Sequence, residues 1–451
     1  MELFAEQALL PDGWARDVRI ELGAHGRIER VTSGAGAGGA ERAPGPLLPG
    51  LPNLHSHAFQ RAMAGLAEKV TDPRDSFWSW REQMYSLVGR LEPEQVEAIA
   101  AHLYVEMLKG GYTTVGEFHY LHHDPVGRPY DNPAEMADRV LAGAERAGIG
   151  MTLLPVLYSH GGFGGQPASA GQRRFLHDTE AYARLWQDLR QSLVDHPLHR
   201  TGLCFHSLRA VTPEQIGQVL ALDAQGPVHM HVAEQTREVD DCLDWSGQRP
   251  VEWLLDHAPV DDRWCLIHAT HVNATERERL GASGAVAGLC PTTEANLGDG
   301  IFPATEYVAG GGAFGVGSDS HVSVSGLEEL RTLEYGQRLI TRHRNRIATA
   351  ATPSVGRALY AGAVAGGAQA LAQPAGRIEP GARADLVALD GGHPLLAAAS
   401  GDTVLDRWLF AGETRFVRDV YVAGRRLVHD GVHPAENATG AAFAGVLRAL
   451  A

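Results

Sequence analysis

The stretch LPGLPNLHSHAFQR, residues 48–61, places His55 and His57 one residue apart, directly after a proline-broken apolar run. In a strand, residues i and i+2 point to the same side, so one short segment aims two imidazoles at one point. The stretch also opens a series. Short β-rich apolar runs recur as YTTVGEFHY, GIGMTLLPVLY, TGLCFHSLR, PVHMHVAE, WCLIHATH, GAVAGLC and AFGVGSDSH. Longer segments with helical periodicity separate them, such as PEQVEAIAAHLYVEMLKGG and LEELRTLEYGQRLITRHRN. Eight strand-then-helix units predict an α/β fold, a (β/α)8 TIM-like barrel over residues 46–372.

Outside that span the pattern changes. Residues 1–45 read as short strands and turns that end in the Gly/Ala-rich TSGAGAGGA. After residue 372, GRIEPGARADLVALD and FVRDVYVAGRRLVHDG alternate like strands joined by turns. Chain termini often lie close together, so residues 1–45 and 373–451 are expected to build one small composite β-sandwich domain.

The 451 residues are 44% hydrophobic and 21% charged, enough to bury a large core, and the net charge of −15 argues against nucleic acid or an acidic membrane as partner. The N-terminus reads as no signal peptide, and no apolar run approaches the ~20 residues that span a bilayer. Four cysteines, Cys204, Cys242, Cys265 and Cys290, form no CxxC pair. That usage suits a reducing cytoplasm.

Ionisable residues gather at the C-terminal ends of the expected strands, the face of such a barrel where chemistry takes place. His55 and His57 end strand one; His206 and Arg209 end strand four; His229 and His231 lie on strand five with Glu234 just beyond; His268 ends strand six; Asp319 ends strand eight. An isolated HxH is more often a hydrogen-bonded loop pair than a ligand pair. Together with His231 and Asp319 it makes an N3O donor set for one divalent metal ion, which suits Zn2+ best and Fe2+ less exclusively. His229 shares a face with His231 one step deeper and reads as a supporting or packing residue. A dinuclear site would need a bridging lysine at the end of strand four. The only lysines, Lys69 and Lys109, precede strand two. Asp319 can both ligate the metal and accept a proton, Glu234 can relay a proton to a nitrogen leaving group, and His268 can hold developing charge. A lone surface glutamate or a buried histidine bonded to backbone is the commoner fate of such residues. His271 reads as a loop residue. His119, His122 and His123 read as loop histidines bound to solvent, with no second metal.

The motifs PGLPNLHSH, HMHVAE, LIHATH, GSDSH and GRIEPGARADLVALD jointly resemble the amidohydrolase superfamily, in its mononuclear deaminase-type branch, over nearly the whole chain. HSHAFQRAMAGL, FWSWREQMY, EFHYLHHD, LLPVLYSHGGFGGQPASAGQRRF, FHSLRAVTP and TEANLGDGIFPA narrow the resemblance to the formimidoylglutamate deiminase family. The resemblance implies metal-dependent hydrolysis of N-formimino-L-glutamate to N-formyl-L-glutamate and ammonia in histidine degradation, a reaction on a linear amidine C–N bond. It assigns substrate binding to Gln60, Arg81, Tyr120, His206 and Arg209, and it implies a homodimer. A small dicarboxylate amidine bound by a net-acidic protein needs cationic anchors, which Arg209 at the strand-four mouth and Arg81 in the long loop after strand one can supply. Two rival readings remain. One is a deaminase of the same branch acting on a nucleobase or triazine-like ring. The other is a catalytically dead barrel that serves in binding or assembly.

Overall fold

The computed structural model describes residues 1–69 and 76–451. Eight parallel strands form a ring: Leu51–Ser56, Tyr112–His119, Gly150–Pro155, His199–Thr201 continuing past Gly202 as Leu203–Phe205, Val228–Val232, Trp264–His268, Val286–Leu289 and Ala313–Val316. Each pairs with the next in chain order. The ring closes where Ser56 bridges Asp319, with the Asp319 N–H donating to the His55 carbonyl at 3.0 Å and the His57 N–H to the Asp319 carbonyl at 3.2 Å. Every strand residue from Tyr112 to His119 is buried, as expected of a strand covered on both faces.

The barrel is a packed core and not a pore. Leu54, Cys265, Ile267, Ala370 and Leu371 fill its lower interior. The helix Val355–Ala370 ends there, and its last carbonyls accept side-chain bonds from inside the barrel. The His229 Nε2–H donates to Ala370 at 2.7 Å and the Thr152 hydroxyl to Leu371 at 2.8 Å. His229 is therefore a floor residue.

A second sheet runs in the order Arg425–Val428, Val417–Val422, Leu386–Leu389, Leu47–Pro49, Glu2–Leu10, Gly13–Leu22, Ile28–Thr32. It curls back on itself, since Arg27 bridges Arg383 and the Ile28 N–H donates to the Ala382 carbonyl at 2.9 Å. Leu3, Val18, Ile20, Leu386 and Tyr421 fill the fold of the sheet. The N-terminal strands are longer than the short strands expected, nine and ten residues in one hairpin. The C-terminal stretch also holds two helices that strand alternation did not reveal. Asp402–Ala411 packs on the helices Gly326–Thr341 and Val355–Ala370, and Glu436–Leu450 packs on Pro93–Lys109. Neither span is given an element from sequence, because its apolar face has meaning only against the helices it packs on.

Gly50 carries the chain from this sheet directly into the first barrel strand. A Cβ there would lie 2.2 Å from the Thr113 hydroxyl oxygen. Beside this junction Arg383 and Asp385 are buried together. The Arg383 guanidinium reaches Asp385 Oδ2 at 2.7 Å, Gln373 Oε1 at 2.7 Å and Thr114 Oγ1 at 2.8 Å, while Asp385 Oδ1 accepts the Ala423 N–H at 2.9 Å. One ion pair thus ties the curled sheet to barrel strand two and to the chain beyond the last barrel helix.

The histidines that follow strand two differ from expectation. His119, His122 and His123 are buried together with His177 and do not face solvent. The His122 Nε2–H donates to the Val156 carbonyl at 3.1 Å and the His123 Nε2–H to Leu176 at 2.6 Å, and the backbone N–H groups of both donate to Arg174 at 3.0 Å. The cluster straps the segment 172–177 onto the barrel mouth. Burial lowers the His119 and His177 pKa values to about 3. No helix among the described residues is long and apolar enough to cross a membrane.

Two outcomes follow. Arg383→Met strands a buried carboxylate and should lower the unfolding free energy by about 3–5 kcal/mol in denaturant titration; a loss under about 1 kcal/mol contradicts the role given to the pair. Histidines with depressed folded pKa values bind fewer protons folded than unfolded. Stability should therefore fall as pH drops below ~6.5, by ~1.4 kcal/mol per pH unit for each, until the folded pKa is reached. His177→Gln should make that slope shallower by one such increment between pH 6.5 and 4.5.

Candidate metal centre and active site

The four expected ligands meet. His55, His57, His231 and Asp319 each offer one donor atom, all within 4.8 Å of one another, and all four side chains are buried. Asp319 Oδ1 lies 3.3 Å from His55 Nε2 and 3.2 Å from His57 Nε2, and His231 Nε2 lies 3.0 Å from His55 Nε2. Close approach makes this possible. A Cβ at Gly317 would sit 2.6 Å from the His55 Cβ, so only glycine lets the strand-eight turn press against strand one.

The outer nitrogens of His57 and His231 fix their tautomers, while His55 Nδ1 has no hydrogen-bond partner. The His57 Nδ1–H donates to the Phe118 carbonyl at 2.9 Å, and the His231 Nδ1–H to the His206 carbonyl at 3.0 Å. A proton on Nδ1 leaves a bare lone pair on Nε2, and these lone pairs converge with a carboxylate oxygen. Converging lone pairs repel unless a cation lies among them, so the donor set fits a divalent ion with N3O preference. The protonation energetics agree. Burial, with His57 beside it, lowers the His55 pKa to about 3, and burial holds His231 well below its ordinary value. Burial alone would push the Asp319 carboxyl up, but the close imidazoles of His55 and His57 outweigh it and hold the group well below the carboxylate range.

Beside the donor set stands a row of acids around one imidazole. The His268 Nδ1–H donates to Glu294 Oε1 at 3.3 Å, while Nε2 faces Glu234 Oε1 and Asp319 Oδ2, each at 3.8 Å. Burial opposes charge on His268, yet the three carboxylates prevail and raise its pKa to about 10. Burial raises Glu234 to about 7 and Asp299 to about 9. A carboxylic acid near 7 beside an imidazolium can both take up and return a proton at neutral pH.

Every other expected residue borders the same cavity, and only His55 lies beneath it. The Gln60 amide donates to the Tyr120 hydroxyl at 2.9 Å and leaves its own buried carbonyl oxygen without a partner. Arg81 stacks on Trp78 at 4.6 Å, and the Nε atoms of Arg81 and Arg209 have no hydrogen-bond partner. Arg81 lies on the helix Phe77–Val88 and not in an open loop. Its capping by Ser76, whose side chain accepts the Trp78 N–H, gives that helix a fixed start. His206 lies 4.4 Å from Tyr158, ring to ring, and burial holds it well below its ordinary pKa.

Strain concentrates here. Ala233, His268, Ala269, Asp319 and His321 all adopt left-handed φ values between 45° and 67°. Such non-glycine residues cost of order 1–3 kcal/mol each and persist only where surrounding contacts hold them. His271 is a loop residue, and its Nε2–H holds the Asp299 carbonyl at 2.9 Å.

Sequence reasoning gave no role to Glu294, Asp299, Glu238, Tyr85, Tyr158 or Glu117. Glu294 and Asp299 stand in TEANLGDG, a motif that contributed to the resemblance but was assigned no chemistry. Glu117 lies one turn of logic further from view: its carboxyl sits behind the HxH segment, accepts the Ala58 N–H at 2.7 Å and the Tyr104 hydroxyl at 2.9 Å, and is raised to about 7 by burial. In sequence it is one polar residue within an apolar strand.

Comparison with known proteins agrees with this geometry. The amidohydrolase family model matches residues 47–427, and the model described as formimidoylglutamate deiminase HutF, N-terminal domain, matches residues 2–45. A formimidoylglutamate deiminase of Pseudomonas aeruginosa is 61% identical over 99% of both chains. A 5-methylthioadenosine/S-adenosylhomocysteine deaminase of Natronomonas pharaonis is 30% identical over 85% of this chain and 81% of its own. The crystal structure of an amidohydrolase from Brucella melitensis superposes with a TM-score of 0.95 at 52% identity, covering 100% of this chain and 99% of that one. This chain belongs to the amidohydrolase family and, within it, to the family of the formimidoylglutamate deiminases.

Proposed function

We propose that the chain hydrolyses N-formimino-L-glutamate to N-formyl-L-glutamate and ammonia, a step of histidine degradation. The observation that carries this reading is the pairing of a buried N3O donor set with two arginines, Arg81 and Arg209, on one small cavity. The 61% identical relative from Pseudomonas aeruginosa supports it. The same reading makes residues 46–372 the barrel and residues 1–45 plus 373–451 a composite β domain. It also puts the enzyme in the cytoplasm, where four buried free cysteines stay reduced.

His55, His57, His231 and Asp319 hold one divalent ion, best matched by Zn2+, which when bound supplies the Lewis acidity that brings a water pKa to about 7. Arg81 and Arg209 bind the two substrate carboxylates, with Gln60, Tyr120 and His206 completing the polar wall. That clamp sets the formimino carbon against the water. The water oxygen bonds to this carbon while one of its protons passes to Glu234 and the C=N electron pair moves to the terminal nitrogen, and the carbon becomes tetrahedral with one oxygen and two nitrogens. The His268 imidazolium faces the oxygen and steadies the negative charge that builds there as the hydroxyl gives up its proton. Glu234 then delivers its proton to the terminal nitrogen, the remaining hydroxyl proton reaches the same nitrogen through Asp319 as the C=O bond forms, the C–N bond breaks toward that nitrogen, and ammonia leaves. The ring-deaminase reading is disfavoured because a neutral ring gives two arginines nothing to bind.

Purified protein should carry about one divalent ion per chain by elemental analysis, and His231→Ala should lose it. Ammonia release should be fast with N-formimino-L-glutamate and at least about 100-fold slower with adenosine or a chlorotriazine; the reverse order overturns the substrate assignment. Glu234→Gln should retain the metal and lose ~10²-fold or more in kcat, the usual worth of positioned acid–base help.

A further inference from the structure

Arg209 and Glu234 face one cavity with opposite charges, and they belong to neighbouring strand mouths. Left to themselves in a water-poor pocket, a guanidinium and a carboxylate pair with each other. Each would then be withdrawn from its task, the arginine from a substrate carboxylate and the glutamate from proton transfer. A third group lies near both. Glu238, in the first turn of the helix Thr236–Ser246, is fully buried. Its Oε2 lies 3.9 Å from Arg209 Nη2 and has no hydrogen-bond partner. Its Oε1 accepts the Ala233 N–H at 3.1 Å. Ala233 is the residue before Glu234 and sits in the left-handed region at φ 52°.

We propose that Glu238 is a positioning residue that joins the carboxylate clamp to the proton-transfer group. One oxygen gives Arg209 an anion other than Glu234 to rest against. The other fixes the strained backbone that aims Glu234. The distance between clamp and acid is then set by one rigid, buried side chain, and with it the length of dicarboxylate amidine that fits between them. A burial of this kind is costly for a glutamate that does nothing. The hydrogen bond to Ala233 alone could be made by a neutral glutamine, whereas the approach to Arg209 needs the charge.

The inference rests on the proposed reaction, and its test separates the two. Wild-type turnover of N-formimino-L-glutamate tests the reaction. Glu238→Gln, which keeps an acceptor for Ala233, tests the inference. It should raise KM about tenfold, weaken binding of the product N-formyl-L-glutamate by a similar factor in calorimetry, and lower kcat by less, with Tm within a few degrees of wild type. A KM and a product Kd both within twofold of wild type, in an active wild-type background, overturn the proposal. If Glu238→Gln does not fold, the pair Arg209→Gln and Arg209→Gln/Glu238→Gln decides, because removing both charges leaves neither stranded. A residue that acts through Arg209 adds less than twofold to KM once Arg209 is gone; a further tenfold loss shows that Glu238 acts otherwise and sinks the idea.

Discussion

The site depends on the seam where the first barrel strand meets the last. Two backbone hydrogen bonds exchanged between His55, His57 and Asp319 close the ring and bring the aspartate to the imidazoles in the same act. Ring closure and ligand convergence are one geometric event. The close approach at Gly317 permits it, and the Phe118 and His206 carbonyls hold the outer imidazole nitrogens so that the inner lone pairs converge. A cluster of lone pairs of this kind opposes its own assembly without a cation, so binding energy is built into the ligands before any substrate arrives.

Around this seam, burial acts on neighbouring acids and bases in opposite senses. Burial, with neighbouring imidazoles, holds the His55 and His231 pKa values down, so these two rings stay neutral. His268 carries charge because three carboxylates surround it. Within a few ångströms the same low-polarity medium keeps some histidines neutral, as candidate ligands, and turns another into a fixed cation. Number and placement of carboxylates decide which.

The fold was legible because its signals are periodic and repeated. Eight apolar runs alternated with helical segments, and each of those runs contains a barrel strand. The donor set was legible because strand alternation places His55 and His57 on one face and HMHVAE and GSDSH carry the remaining donors. What escaped notice had no period. Glu117 and Glu238 each look like one acid among many, and their importance comes from burial and from partners distant in sequence. The helices Asp402–Ala411 and Glu436–Leu450 escaped because their apolar faces have meaning only against barrel helices. His119, His122 and His123 looked solvated because a run of polar residues after a strand usually is a loop; the segment 172–177 that covers them lies some fifty residues downstream.

The packed floor of the barrel has a consequence for traffic. Leu54, Ile267, Ala370 and Leu371 plug the axis, and His229 and Thr152 bolt the plug to the wall. Nothing released at the strand ends can pass down the middle. Ammonia freed at the strand ends is denied the axial route, so the barrel floor offers no conduit along the axis by which the freed nitrogen could be handed, unhydrated, to a second enzyme docked beneath.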